Sequence, residues 1–110
     1  MVCRGIKKSE GEMKIKNTML KPFNTLKKFV YGLKNWDIID GKLTRKYVFK
    51  DFNEAMHFVN KVAIIAEKMN HHPDIFISYN KITITIFTHE ENKLTNKDFR
   101  LAKEIDAIKL

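Results

Sequence analysis

Apolar positions recur along this chain with two periods, and the change between them outlines the fold. From Thr18 to Leu33, Leu20, Phe23, Leu26, Phe29, Val30 and Leu33 follow helical spacing, and Pro22 suits a first turn. Trp36 to Phe49 reads as a hairpin around Asp40-Gly41, a pair suited to a turn that needs positive φ at both positions. Its second strand places Leu43, Tyr47 and Phe49 on one face and Thr44, Lys46 and Lys50 on the other. Arg45 interrupts the apolar face. Asn53 to Met69 predicts the longest helix, with Asn53 as its cap. Ala55, Val59, Val62, Ala66 and Met69 form its core stripe, flanked by Phe58, Ala63 and Ile65. His57, Asn60, Lys61 and Lys68 take the opposite side, and Ile64 falls among them as a candidate subunit contact.

Pro73 ends this helix, because the residue before a proline is pushed out of the helical region. A short strand from Ile75 to Tyr79 and a turn at Asn80-Lys81 follow. Ile82 to Thr88 then alternates, with Ile82, Ile84 and Ile86 inward and Thr83 and Thr85 outward. Thr95 caps a last helix, with Asp98 three residues on as in a capping box. Phe99, Ala102, Ile105 and Ile108 form its apolar face. The order αββαββα, with hairpins alternating with helices, predicts an α+β fold with one helix-covered sheet. The other sheet face carries Thr and Lys and is expected to be open or partly covered by another subunit. Residues 1–16 lack periodicity and read as a flexible basic arm, with Met13 a candidate alternative start. Residues 17–110 read as one domain.

Composition narrows the class. Of 110 residues, 44% are hydrophobic and 31% charged, an ordinary globular balance. Cys3 is the only cysteine, so no intrachain disulfide can form, and a reducing, cytoplasmic setting is expected. The longest apolar run, Val62 to Ala66, is too short for a bilayer, so no membrane partner is expected. The net charge is +8, carried mostly by dispersed lysines without an arginine cluster, so direct nucleic-acid binding is not expected.

The candidate chemistry lies in histidines. His71 and His72 end the long helix, with Glu67 at i, i+4 from His71 and able to touch it. His89 ends the isoleucine strand on the Thr83/Thr85 face. Three imidazoles at element ends are candidates to converge at one rim, where one ring donates a proton as another accepts one. Two other readings stand beside this. Histidines at a helix C-terminus also serve the helix dipole, and Glu67, His71, His72 and His89 include donor types that bind metal. Asp98 is accounted for as a cap, and His57 belongs to a solvated face.

The stretch E-K-M-N-H-H-P, then Tyr79, His89 and Asp98, resembles the signature of the pterin-4a-carbinolamine dehydratases. Glu67, three positions, His71-His72-Pro73, five positions, Tyr79, nine positions, His89, and Asp98 further on fit that pattern without a gap. The similarity runs from about Trp36 to Ile105, with a weaker match in the first helix. It implies a four-stranded antiparallel sheet with helices on one face. It implies dehydration of 4a-hydroxytetrahydrobiopterin to quinonoid dihydrobiopterin, with no metal and no bound cofactor, the pterin being the substrate. It also implies a homodimer or homotetramer, with the long helix at the tetramer contact. Some animal relatives are dimerisation cofactors of a homeodomain transcription factor, so a non-catalytic interaction module is the alternative. By position, His71 and His89 would be the acid–base pair and His72 would orient substrate. Glu67 would support the site, and Asn70, Phe87, Thr88, His89 and Glu90 would line the pterin pocket. Pro73, Tyr79 and Asp98 complete the signature. The sequence departs from better-known members at Asn70, where Asp is common, at Ile75, where Trp is frequent, and at Phe87, where a small residue is usual.

Overall fold

A computed structural model describes residues 20–109. The arm over residues 1–16 and the start of the first helix lie outside them. Seven elements follow in the expected order: α1 Leu20–Val30, β1 Asp37–Ile39, β2 Lys42–Val48, α2 Phe52–Met69, β3 Asp74–Ser78, β4 Lys81–Ile86 and α3 Asn96–Asp106. The strands form one antiparallel sheet in the order β1-β2-β4-β3. This is the α+β architecture that the periodicities predict.

The β1–β2 hairpin closes as its sequence demands, with Asp40 at φ 52° and Gly41 at φ 76°. Register then sets the buried face. Leu43 pairs with Ile86, Arg45 with Ile84 and Tyr47 with Ile82, while Ile75 and Ile77 of β3 face Ile84 and Ile82. Over this face α2 and α3 lay Ala55, Phe58, Val62, Phe99, Ala102 and Ile105, and Leu33 and Trp36 join the same core. Burying a side chain of this size stabilises by roughly 1.5–3 kcal/mol. Arg45 does not break the apolar face. Its guanidinium lies over the Tyr47 ring, 4.5 Å from the centroid, and its Nη1 donates to Asp106 Oδ1 at 2.7 Å. Trp36 Nε1 donates to the same oxygen at 2.8 Å.

Four local expectations are corrected. Asp51, not Asn53, caps α2, and its side chain accepts from the Glu54 amide at 2.9 Å. Ala63 is exposed, outside the buried stripe. The second hairpin turns at Tyr79-Asn80, not Asn80-Lys81, because Ser78 pairs with Lys81. Tyr79 therefore takes φ 55°, a conformation costing a non-glycine residue about 1–2 kcal/mol. Asn80 holds the turn there: its carbonyl accepts from the Phe49 amide at 2.8 Å, and its side-chain amide donates to the Phe49 carbonyl at 2.8 Å. The apolar residues of α1 are also less buried than their spacing suggests, with Leu26, Phe29 and Val30 exposed.

Tyr47 gives the first testable consequence. Among the described residues, its buried hydroxyl has no hydrogen-bond partner. Burial pushes its pKa up to about 12, against the opposing pull of Arg45 and with a further push from Asp106. Tyr47→Phe should stabilise the protein at neutral pH by about 1 kcal/mol, because an unpaired buried hydroxyl carries a desolvation cost. The sign at high pH follows from the raised value. Below pH 10 both folded and unfolded chains keep the proton. Between pH 10 and about 12 the unfolded chain releases it first, so stability falls by up to about 1.4 kcal/mol per pH unit. Urea unfolding at pH 7 and at pH 11 should show the phenylalanine variant gaining more over wild type at the higher pH. An equal gain at both would contradict the assignment.

Candidate active site

The end of α2 builds the site. Asn70 turns into the left-handed region at φ 51°, ψ 42°. The Asn70 amide donates to the Glu67 carbonyl at 3.2 Å, and the His71 amide donates to the Ala66 carbonyl at 3.1 Å. This closing turn satisfies the last carbonyls of the helix. It also swings His71, His72 and Pro73 off the helix axis and into β3.

His71 points toward the start of α3. Its Nε2 lies 2.6 Å from Asp98 Oδ1. Asp98 is fully buried, and His71 nearly so. The other carboxyl oxygen, Oδ2, accepts from the Thr88 hydroxyl at 2.7 Å and from the Thr95 amide at 2.7 Å. The Thr88 proton being engaged there, the Thr95 hydroxyl donates to Thr88 Oγ1 at 2.8 Å. One carboxyl group thus ties together the end of α2, the exit of β4 and the first turn of α3. With Asp98 as acceptor, His71 carries its proton on Nε2 and leaves Nδ1 open.

Glu67 does not meet His71. Its Oε2 lies 2.6 Å from His72 Nε2, and both side chains are largely exposed. The i, i+4 rule holds only while the backbone stays helical, and the left-handed residue at position 70 ends that geometry one residue too early. Asp98 is more than a cap, because its second oxygen serves His71. Nothing local in the sequence signals this, since the two residues stand 27 apart.

His89 follows Thr88 directly and is exposed. The Asn92 amide donates to the His89 carbonyl at 3.2 Å, and Thr88 bridges to Lys93, so His89 and Glu90 ride on a short closed loop. Thr88 is buried beneath it. The hydrogen-bond chain from His71 therefore ends one residue from His89. Glu90 and Asn70 are exposed, and Pro73 is half-buried. Ile75 packs against the core. Tyr79 sits at the β3–β4 turn, at the far end of both strands from Pro73 and Thr88. Among the described residues, no three His, Cys, Asp or Glu side chains are grouped so as to hold a metal ion.

A helix-covered antiparallel sheet carrying histidines at its helix and strand ends defines a small α+β protein with a candidate acid–base site. Residues 22–108 match the model of the family described as pterin 4 alpha carbinolamine dehydratase, and the chain belongs to that family. A relative from Herpetosiphon aurantiacus is 48% identical over 73 residues, 66% of this chain and 76% of its own length. One from Sulfolobus acidocaldarius is 39% identical over 85 residues, 77% of this chain and 93% of its own. Both bear the name "putative pterin-4-alpha-carbinolamine dehydratase". Among solved structures, a Brucella melitensis protein described as a transcriptional coactivator/pterin dehydratase superposes with a TM-score of 0.67 at 32% identity. The match covers 87% of this chain and 97% of that one.

Proposed function

We propose that this protein dehydrates 4a-hydroxytetrahydrobiopterin to quinonoid dihydrobiopterin, in the recycling of tetrahydrobiopterin, by histidine acid–base catalysis. The observation that carries this reading is His71, its Nε2 held 2.6 Å from the fully buried Asp98 carboxyl at the end of α2. The chemistry needs two proton transfers. The hydroxyl on carbon 4a leaves as water once a general acid protonates it, and the lone pair on nitrogen 5 drives its departure. Nitrogen 5 then loses its proton to a base, so the substrate divides into quinonoid product and water with no change in oxidation state. His71 and His89 share these transfers, each worth typically about 10²–10⁴-fold. His72, steadied by Glu67, orients the substrate, while Asn70 and Glu90 border it and Thr88, buried beneath the His89 loop, holds Asp98. Pro73 and Asp98 hold the frame, and Tyr79 belongs to the supporting signature.

The reaction runs without a metal or bound cofactor. A turnover assay with freshly generated 4a-hydroxytetrahydropterin should exceed the spontaneous rate and survive chelation. Loss on chelation with recovery on adding zinc would replace this mechanism by a metal-assisted one. Turnover no faster than the spontaneous rate would leave the interaction-module reading. That second reading has support of its own in the coactivator description of the Brucella melitensis relative.

The chain acts in the cytoplasm as a homodimer or homotetramer. Ile64, 59% exposed on the polar face of α2, supports an assembly through that helix. No helix among the described residues is long and apolar enough to cross a membrane.

A further inference from the structure

The three histidines are restrained in three different ways. His71 is held by a buried carboxyl group and His72 by an exposed one. Among the described residues, the His89 imidazole has no hydrogen-bond partner. Its ring meets Phe87 instead, with centroids 5.4 Å apart and planes at 81°. The two residues flank Thr88, which is fully buried, so they project together away from the core. Phe87 is itself confined. The Lys42 ammonium stands 5.1 Å from its ring centroid. Lys42 is fixed by pairing with Ile39 in the first hairpin and precedes Leu43, which pairs with Ile86.

We propose that Phe87 is the positioning residue of His89, with Lys42 holding the phenyl ring in place. The proposal rests on the acid–base role of His89 given above. A hydrogen bond to one ring nitrogen orients an imidazole but also fixes its tautomer, as Asp98 does for His71. An edge-to-face contact restrains the plane of the ring and is indifferent to which nitrogen carries the proton. His89 therefore keeps a set orientation with both nitrogens open, one for substrate and one for exchange with solvent. Contacts of this kind are worth a factor of roughly 2–10 in the population of the oriented form. The phenylalanine that departs from the small residue usual in the family thus does for His89 what carboxyl groups do for its two neighbours.

The test compares Phe87→Ala, Phe87→Leu and Phe87→Tyr in the full chain. Phe87→Ala should lower kcat about 3–10-fold with KM changed less than about twofold, and Phe87→Tyr should restore kcat. Phe87→Leu fills the space without a ring and should behave as Phe87→Ala. A raised KM with unchanged kcat would make Phe87 a substrate contact and overturn the proposal, as would full activity in Phe87→Leu. Proton NMR of the imidazoles gives a readout independent of turnover. The His89 ring signals should shift in the alanine and leucine variants, as the ring current of Phe87 is lost, and stay in place in Phe87→Tyr. Those of His71 should not move, which also reports an intact fold. Unmoved His89 signals in Phe87→Ala would end the proposal. If His89→Ala retained full turnover, the acid–base reading of His89 would fail instead, and the NMR result would still decide whether the contact exists.

Discussion

Replacing His71 with alanine should lower turnover of 4a-hydroxytetrahydropterin by about 10²-fold or more, and replacing His89 should do the same. Each substitution removes one of the two groups assigned to move protons between carbon 4a, nitrogen 5 and solvent. The losses should not multiply. Once one half of the pair is gone, little concerted transfer is left for the other to support, so the double variant should fall short of the product of the single effects. His72→Ala should act differently, mainly raising KM, because its ring is exposed and its partner is an exposed carboxyl group. Steady-state kinetics on the four variants, corrected for the spontaneous rate, separates these outcomes. Full turnover in both His71→Ala and His89→Ala would show that the histidines are not the proton shuttles, whatever the fold.

The second large effect belongs to Asp98. Asp98→Ala should destabilise the protein by about 3 kcal/mol, read as a lowered urea midpoint. It removes the partner of the Thr95 amide at the start of α3, a contribution of about 1 kcal/mol as a helix cap. It also strips Thr88 and His71 of their acceptor in a site closed to water. Asp98→Asn separates folding from chemistry. The amide keeps the volume but has one acceptor oxygen where three donors converge, so either the Thr95 amide loses its bond or His71 must switch to the tautomer that accepts from the amide. Turnover should fall at least about 10-fold even where the variant is folded, because the tautomer of His71 is no longer fixed. A folded Asp98→Asn variant with wild-type turnover would reduce Asp98 to a structural cap.

Local signals carried most of the architecture. Asp40-Gly41 specifies its turn through its own backbone preferences, and the isoleucines at 82, 84 and 86 could face only one way in a strand. Expectations slipped where two local answers were equally good or where a distant partner decided. Asp51 and Asn53 are both capping residues two positions apart, and Glu54 decides for Asp51, its amide donating to the Asp51 side chain and its carboxylate accepting from the Lys50 amide. Tyr79 is an unlikely residue for positive φ. The register of β3 against β4 and the double grip of Asn80 on Phe49 put it there. Leu26, Phe29 and Val30 have helical spacing, yet spacing says which residues share a face and not what lies opposite. At the site, signature spacing singled out the histidines as candidates. It did not disclose their partners, because the His71–Asp98 and Thr88–Asp98 bonds are made across the tertiary structure.

The left-handed residue at the end of α2 restricts which amino acids position 70 can accept over evolutionary time. Its φ of 51° admits glycine, asparagine and aspartate with little penalty and excludes branched side chains. Aspartate, common there in better-known relatives, and the asparagine of this chain are two members of one short alphabet. The backbone that launches His71 and His72 is served equally by both. The backbone conformation at that position therefore constrains side-chain shape and leaves the charge unconstrained. An Asn70→Asp exchange would add a negative charge beside the imidazoles without moving the main chain that places them.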